Sequence, residues 1–171
     1  MKPTQELEFV EFVSVNSARF LRMAELLVGD RDLAEDLVQT SLLKLYRVWG
    51  RERRAEPIAY LRRIMMNTRT DWWRRASTHE PTREPVEGDV VEVVGGDHAD
   101  VHASSDVLRR ALARLSVHER AVLVLRFYED LTEVDSAAVL GISVGTVKST
   151  ASRALAKLRR SAADLKMEQT T

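Results

Sequence analysis

Apolar residues recur along the first half of the chain at the three- and four-residue steps of one helical face. Three such stripes lie between residues 6 and 75, separated at Gly29-Asp30 and Gly50 and restarted at Pro57. Because glycine ends helices and proline is tolerated in a first turn, these positions divide the stretch into three helices. The inward-facing residues are predicted to be Phe20, Met23, Ala24, Leu27, Leu33, Leu37, Ser41, Leu45, Leu61, Met65, Thr68 and Trp72.

The helical pattern fails over residues 76–104, which contain two prolines, three glycines and seven acids opposed only by Arg83. A stretch of this length and composition is typical of an extended linker. Helical spacing returns with Leu108, Ala111, Leu112 and Leu115. The sequence therefore predicts an all-α fold of two small helical domains, residues 6–75 and 105–162, joined by an acidic flexible linker, residues 76–104.

Residues 131–160 predict two helices that meet at a tight turn, the arrangement called a helix-turn-helix. Thr132 is placed to cap the first helix, and Gly141-Ile142-Ser143 forms the turn, with Gly141 supplying backbone freedom and Ser143 capping the second helix. Residues of both helices are expected to face the core: Ala137, Ala138 and Leu140 in the first, and Val147, Ala151, Ala154 and Leu158 in the second.

The opposite face of the second helix follows from about 100° of rotation per residue. It is small and polar at its centre and basic at its edges, as the major groove of DNA requires: short donors approach base edges, and long cations reach phosphates. The alternative is an ordinary solvated face. The predicted DNA-binding residues are Gly145, Thr146, Lys148, Ser149, Ser152, Arg153 and, further along the helix, Lys157.

The formal net charge is zero, but the charges are segregated along the chain. Residues 51–75 carry eight arginines against three acids, residues 76–106 one basic residue against eight acids, and residues 146–171 six basic residues against two acids. Two basic segments separated by an acidic one indicate two sites that face a polyanion, although charge alone also fits solvated helix faces. One hypothesis is that the acidic linker screens the basic segments in the free protein.

Several kinds of chemistry are not indicated. The chain has no cysteine, no apolar run of about 20 residues, no signal-peptide pattern, no phosphate-binding glycine loop and no nucleophile–base arrangement. His98, Asp100 and His102 could hold a metal in isolation, but a site without supporting residues is a poor candidate. We therefore expect a cytoplasmic protein that is not an enzyme and needs no metal or cofactor.

Two separate blocks of this sequence resemble one family. The first is LVGDRDLAEDLVQTSLLKLYRVW (27–49), continued by PIAYLRRIMMNTRTDWWRR (57–75), and the second is LSVHERAVLVLRFYEDLTEVDSAAVLGISVGTVKSTASRALAKLRR (115–160). They are similar to regions two and four of the extracytoplasmic-function sigma factors of the sigma-70 family, and most similar to the actinobacterial sigma-E-like subgroup. The chain departs from the family at Ser136, where isoleucine is common, and at Thr150 and Ser152.

The resemblance implies a subunit of bacterial RNA polymerase that confers promoter choice, with an anti-sigma factor as a further partner. Region four would bind the β flap and the −35 element. The helix Asp32–Trp49 would bind the β′ clamp helices through Asp32, Glu35, Asp36, Gln39, Leu42 and Leu43. Opening of −10 DNA needs cations for phosphates and aromatic faces for unstacked bases. The candidates for it are Arg51, Arg53, Arg54, Arg62, Arg63, Asn67, Arg69, Trp73 and Arg74.

Two other classes of protein remain as alternatives. A stand-alone helix-turn-helix regulator would bind DNA as a dimer and carry an N-terminal sensing domain with an apolar pocket. The first domain instead ends in a strip rich in arginine and tryptophan. A DNA recombinase would need a catalytic serine or tyrosine within an active-site cluster, and no such cluster is visible.

Overall fold

The computed structural model describes residues 3–49, 56–79 and 103–168, and within these ranges every regular element is helical. This confirms the predicted all-α class. Contacts divide the chain into two compact units, Met1–Glu25 with Arg31–Pro81 and Leu26–Asp30 with Thr82–Thr171. Residues 80–102, most of the predicted linker, lie outside the described residues. The α-helices are α1 (Pro3–Val28), α2 (Arg31–Trp49), α3 (Pro57–His79), α4 (Ala103–Ala113), α5 (Val117–Leu123), α6 (Glu133–Leu140) and α7 (Val144–Glu168).

The first unit is built from α2, α3 and the part of α1 up to Glu25, with α2 packed along α3, whereas the last residues of α1, from Leu26, belong to the second unit. Helix α1 ends before Gly29, whose φ of 78° is in the region that only glycine adopts without strain, and α3 begins at Pro57 as the sequence predicts. Most of the predicted core residues of this half are buried, and Trp72 is half-buried. Aromatic rings of α1 and α2 also meet edge to face, with the centroid of Phe9 5.1 Å from those of Tyr46 and Trp49.

The four-residue spacing to Leu37 predicts that Leu33 lies in the core, and this prediction is wrong, because the residue is 45% exposed. Each four-residue step turns a helix by about 40° beyond a full turn, so a stripe of such steps drifts around the surface. The buried face of α2 is centred on Ser41 and takes in Ala34 and Val38. Leu33 therefore lies at the edge of this face and is turned toward solvent.

The second unit contains α4 to α7 and has two apolar clusters. One joins Leu112, Leu115, Leu123 and Ala154, with Leu158 packed against it. The other joins Val122, Ala137 and Val147, with Leu140, Ile142 and Ala151 packed against it. These clusters confirm the inward stripe that was predicted for α7. Leu108, predicted as part of the helical pattern, is 45% exposed.

A π-helical turn, Val124–Tyr128, continues α5 and leads into the helix-turn-helix. The turn is closed by the Glu129 N–H donating to the Val124 carbonyl and by the Leu131 N–H donating to the Leu125 carbonyl, both at 3.0 Å. Asp130 between them has a φ of 52°, a left-handed conformation that aspartate tolerates better than most residues. The chain is thereby turned so that α6 can start at Glu133.

The helix-turn-helix has the capping that the sequence predicts. The Thr132 hydroxyl accepts a hydrogen bond from the Asp135 N–H, and Gly141 has a φ of 68°. The Ser143 hydroxyl accepts one from the Thr146 N–H at 3.1 Å, so it caps the first turn of α7. Ala138 is a correction: it was predicted to face the core but is exposed, because it lies about 100° around α6 from the buried Ala137.

Ser136 of α6 is fully buried, and its hydroxyl has no hydrogen-bond partner among the described residues. A buried polar group left without a partner costs about 1–3 kcal/mol. The resemblance leads us to expect isoleucine at this position, so a buried hydroxyl occupies a place where an apolar side chain is expected.

Candidate nucleic-acid interface

The outward face of α7 consists of small polar residues bordered by cations. Gly145, Thr146, Ser149, Ser152 and Ala156 are all exposed. The buried side of the same helix is formed by Val147, Thr150, Ala154 and Ser161. The helix therefore has one face held in the unit and one face open to a large ligand.

The hydroxyl groups at the start of α7 are exposed and bonded to one another or to the helix backbone. The Ser143 and Thr146 hydroxyls lie 2.8 Å apart, and the Ser149 hydroxyl donates to the Thr146 carbonyl at 3.2 Å. A Cβ added at Gly145 would meet only the Ser143 Oγ, at an ordinary 3.8 Å. Packing within the protein therefore does not require glycine at position 145.

Two of the three predicted cations of α7 are available to a ligand. Lys148 is 62% exposed and lies 3.5 Å from the carboxylate of Glu133, a surface pair of small stabilising effect. Arg153 is exposed and makes no ion pair with another described residue. Both side chains can therefore turn toward a phosphate at little cost.

Lys157 is placed differently from the prediction that it faces DNA. Its ammonium lies 2.8 Å from Oε1 of Glu119, whose side chain is only 8% exposed. Seven residues turn a helix by about 700°, so Lys157 lies close to the buried Thr150 in angle and at the edge of the packed face. The structure therefore assigns this lysine to an internal ion pair.

In the first unit, α3 presents a stripe of exposed polar residues. Arg63, Asn67 and Arg74 follow at steps of four and seven and share one face. Arg74 pairs with Asp71 at 3.3 Å, and both side chains are well exposed. The other predicted cations of this site, Arg51, Arg53 and Arg54, lie outside the described residues.

Arg62 and Arg69 were also predicted to face −10 DNA, and the structure buries them, each at 7% exposure. They are seven residues apart and so share a face, but this face lies about 100° or more from the Arg63 stripe. Both already interact within the chain, as does the half-buried Trp73. The rotation of about 100° per residue therefore divides the predicted cations of α3 into an exposed set and a buried set.

Helix α2 carries an outward stripe of mixed chemistry. Asp32, Asp36, Gln39 and Leu43 follow at steps of four and three and are all exposed, Leu43 to 63%. Tyr46, which was not predicted as a contact residue, continues the stripe at 39% exposure. Glu35 and Leu42 flank it and are half-buried, and Glu35 pairs with Arg31 at 3.2 Å.

Other kinds of site are not found in the ranges that the structure describes. No helix there is both long and apolar enough to span a membrane. Among those same residues, no three histidine, aspartate or glutamate side chains cluster as metal ligands would. The weak metal candidate formed by His98, Asp100 and His102 lies outside the described residues.

Known proteins share both halves of this sequence. A family profile described as Sigma-70 region 2 matches residues 12–79, and one described as Sigma-70, region 4 matches residues 105–158. The RNA polymerase sigma-E factor of Streptomyces coelicolor is 43% identical over 155 residues, which cover 90% of this chain and 85% of that protein. The chain belongs to the sigma-70 family.

Further relatives place this sigma factor in the extracytoplasmic-function group. The sigma-E factor of Streptomyces avermitilis is 42% identical over 154 residues, covering 90% of this chain and 84% of that protein. The extracytoplasmic-function sigma factor SigM of Mycobacterium tuberculosis is 36% identical over 140 residues, covering 81% and 69%. The resemblance drawn from the two motif blocks is confirmed, including its likeness to sigma-E factors of actinobacteria.

Solved structures agree on the fold of this sigma factor. The sigma factor RpoE of Bartonella quintana, in complex with the anti-sigma factor NepR, matches with a TM-score of 0.70 at 24% identity, over 90% of this chain and 96% of that one. CnrH, in complex with the cytosolic domain of CnrY, matches with a TM-score of 0.59 at 21% identity, over 91% and 87%. At these identities the likeness concerns the fold alone.

The comparisons decide between the alternatives. The stand-alone regulator needed a ligand-sensing domain in the first half, whereas that half matches Sigma-70 region 2. The function of this sigma factor is therefore to direct promoter-specific initiation of transcription.

Two buried charged residues of this sigma factor were missed by sequence reasoning. Glu119 forms a capping box with Ser116: the Glu119 N–H donates to the Ser116 hydroxyl, and the Ser116 N–H donates to the Glu119 carboxylate. The spacing S-x-x-E in the sequence is the known signal for this cap. Arg120 is 2% exposed, and nothing in the neighbouring sequence Val117-His118-Glu119-Arg120 distinguishes it from a surface arginine.

Proposed function

We propose that the exposed face of α7 reads the −35 element, with Ser149 and Ser152 near base edges and with Lys148 and Arg153 on phosphates. The observation that carries this proposal is the pairing of a small polar face with flanking exposed cations, on the second helix of a helix-turn-helix. Short polar groups fit the floor of the major groove, and long cations fit its edges. Run-off transcription with purified core polymerase, with and without a −35 element, tests the role directly.

The first unit is proposed to serve the −10 element and polymerase. Arg63, Asn67 and Arg74 form the exposed stripe of α3, and Arg51, Arg53 and Arg54 would extend it into the preceding segment. The outward stripe of α2 combines carboxylates, an amide and apolar side chains, which is typical of a protein contact. The revised −10 set therefore excludes Arg62 and Arg69.

A pair of substitutions separates phosphate contacts from base contacts on α7. Arg153→Ala is expected to weaken binding to all promoters and to reduce the slope of log affinity against log salt by about 0.9, the contribution of one phosphate. Ser149→Ala is expected to leave that slope unchanged and to alter the preferred −35 sequence. Binding of holoenzyme to a library of −35 variants measures both effects. An unchanged preference for Ser149→Ala would mean that this face of α7 is not the reading face.

Gly145→Ala is expected to separate stability from DNA binding. Because the added Cβ meets nothing closer than 3.8 Å, the protein should gain up to about 1 kcal/mol from the higher helix propensity of alanine. If the start of α7 approaches the DNA backbone, the same methyl group should weaken promoter binding. Thermal unfolding and promoter affinity are measured together, with Ala156→Ser as a control on the far end of the face. Undiminished affinity would remove position 145 from the contact surface.

The cellular location and a regulatory partner of this protein can be proposed from its role as a sigma factor. We propose that it acts in the cytoplasm, where RNA polymerase and promoter DNA are found, and that it catalyses no reaction of its own. We also propose an anti-sigma factor as a regulatory partner, supported by the sigma factor of Bartonella quintana with the same fold, which was solved bound to one. Co-purification of the full chain from its own cells, followed by identification of bound proteins, tests this partner.

A further inference from the structure

The ion pair between Glu119 and Lys157 joins the first turn of α5 to α7. Oε1 of Glu119 lies 2.8 Å from Nζ of Lys157, and Oε2 accepts the Ser116 N–H at 2.9 Å. One carboxylate thus links the capped end of one helix to the side of another. Lys157 lies four residues beyond Arg153, one turn past the face proposed to bind DNA.

The Glu119 carboxylate is ionised and held by its contacts with Lys157 and Ser116. Burial opposes its ionisation and is the largest single influence, but the hydrogen bond and charge of Lys157, together with the bonds to Ser116, outweigh it. The pKa of Glu119 is therefore lowered from its ordinary value. The carboxylate stays ionised at neutral pH, and Lys157 is the cation that balances it. Releasing Lys157 to a phosphate would leave a charge buried without its partner, which is costly.

The ion pair between Glu119 and Lys157 restricts the rotation of α7 about its axis more strongly than the apolar contacts of this helix do. Val147 packs in one cluster and Ala154 and Leu158 in another, and such contacts are non-directional, so they tolerate small rotations of the helix. An ion pair to a fixed, buried carboxylate specifies one direction. A rotation of α7 about its axis would carry Ser149 and Arg153 away from their positions on DNA and would stretch the contact between Glu119 and Lys157.

We infer that Glu119 and Lys157 are positioning residues for −35 recognition, which fix the rotation of α7 while Lys157 itself makes no contact with DNA. This inference rests on the proposed role of α7. A positioning role of Lys157 and a phosphate contact of Lys157 predict different results in two measurements. These are the salt dependence of promoter binding and the direction in which promoter affinity changes when Glu119 is substituted.

Lys157→Met is expected to lower the affinity of holoenzyme for −35-containing promoters about tenfold, with an unchanged salt slope. Lys148→Met is the matched control, a second lysine of α7 that is exposed, and its loss is expected to reduce the slope by about 0.9. Lys157→Arg, which can still reach the carboxylate, is expected to restore most of the affinity. A slope that falls for Lys157→Met as it does for Lys148→Met would overturn the inference.

Glu119→Gln supplies the second discriminating result. If Lys157 were a DNA contact held back by Glu119, removing the charge would free it and raise affinity. If the pair positions α7, Glu119→Gln lowers affinity, and the double variant with Lys157→Met is no worse than either single one. Far-UV circular dichroism of each variant verifies that the helices are retained, and Glu119→Asp, a milder change, serves if Glu119→Gln unfolds. If Arg153→Ala and Lys148→Met also leave binding unchanged, the proposed role of α7 fails instead.

Discussion

Arg120→Met is expected to destabilise the second unit by roughly 3 kcal/mol, the largest loss of stability anticipated for a single substitution in this protein. The Arg120 side chain is 2% exposed, and its hydrogen-bond partners among the described residues are two backbone carbonyls: Nε donates to the Leu112 carbonyl at 3.0 Å, and an Nη donates to the Leu27 carbonyl at 3.3 Å. Leu112 and Leu27 are the penultimate residues of α4 and α1. Arg120 therefore binds the carbonyl ends of two helices.

The ends of these helices explain why a buried cation is tolerated there. The last four carbonyls of a helix lack partners within it and carry partial negative charge. Burial lowers the pKa of Arg120 to about 10, so the side chain still carries its proton at neutral pH and donates charge-assisted hydrogen bonds. Methionine would fill much of the volume and remove the buried charge. The two carbonyl groups would remain, and among the described residues only the Leu112 carbonyl has a second donor, the Leu115 N–H.

The measurement is thermal and denaturant unfolding of the full chain, followed by circular dichroism and by hydrogen exchange in α4 and α5. A loss of this size corresponds to a midpoint more than about 10 °C lower for a domain of this length. Arg114→Met is the matched control: Arg114 makes an exposed pair with Asp164 at 3.5 Å, and its loss is expected to cost less than about 1 kcal/mol. Equal effects of the two substitutions would show that Arg120 is not a structural cap. Arg120→Lys, which keeps charge but not the fork of donors, is expected to fall between them.

The helices and the turn of this fold could be predicted because their signals are local. Gly141 with its positive φ, the caps Thr132 and Ser143, and Pro57 at a helix start each act within a few residues of themselves. The recurrence of apolar residues every three to four positions then indicated which side of each helix is buried. The errors at Leu33 and Ala138 arose at the edges of such faces, where periodicity alone cannot place a side chain.

The sites were harder to predict than the fold, because they depend on which helix packs beside which. The sequence alone indicates that Lys157 is a surface cation. In the structure α5 places Glu119 beside it, and this contact could not be predicted because the two residues are 38 positions apart in the sequence. Arg62 and Arg69 read as part of a basic strip until the packing of α3 buries their face. The composition of a segment gives the number of its charged residues. The charge of a binding surface depends instead on how many of those residues remain exposed once the helices have packed.

Changing Asp36 and Gln39 to alanine together is expected to weaken binding to core polymerase about thirtyfold while leaving the fold intact. Both residues are exposed and lie at the centre of the α2 stripe, between Asp32 and Leu43. Leucine exposed to 63% beside carboxylates resembles the centre of an interface, where an apolar contact excludes water around charged hydrogen bonds. A carboxylate that loses water on binding needs a cationic partner, so Asp36 should face an arginine or lysine of polymerase.

The control for this prediction is Glu11→Ala, which removes an exposed carboxylate from α1 of the same unit but lies outside the α2 stripe. Affinity is measured by titrating labelled full chain with core polymerase, and tryptophan fluorescence follows the first unit, which contains Trp49, Trp72 and Trp73. Leu43→Ala is expected to weaken binding by itself, whereas changes to a merely solvated helix face would not. Wild-type affinity in both the Asp36/Gln39 double variant and Leu43→Ala would mean that polymerase is held by another surface. A loss limited to one of them would show whether charge or apolar contact dominates the α2 stripe.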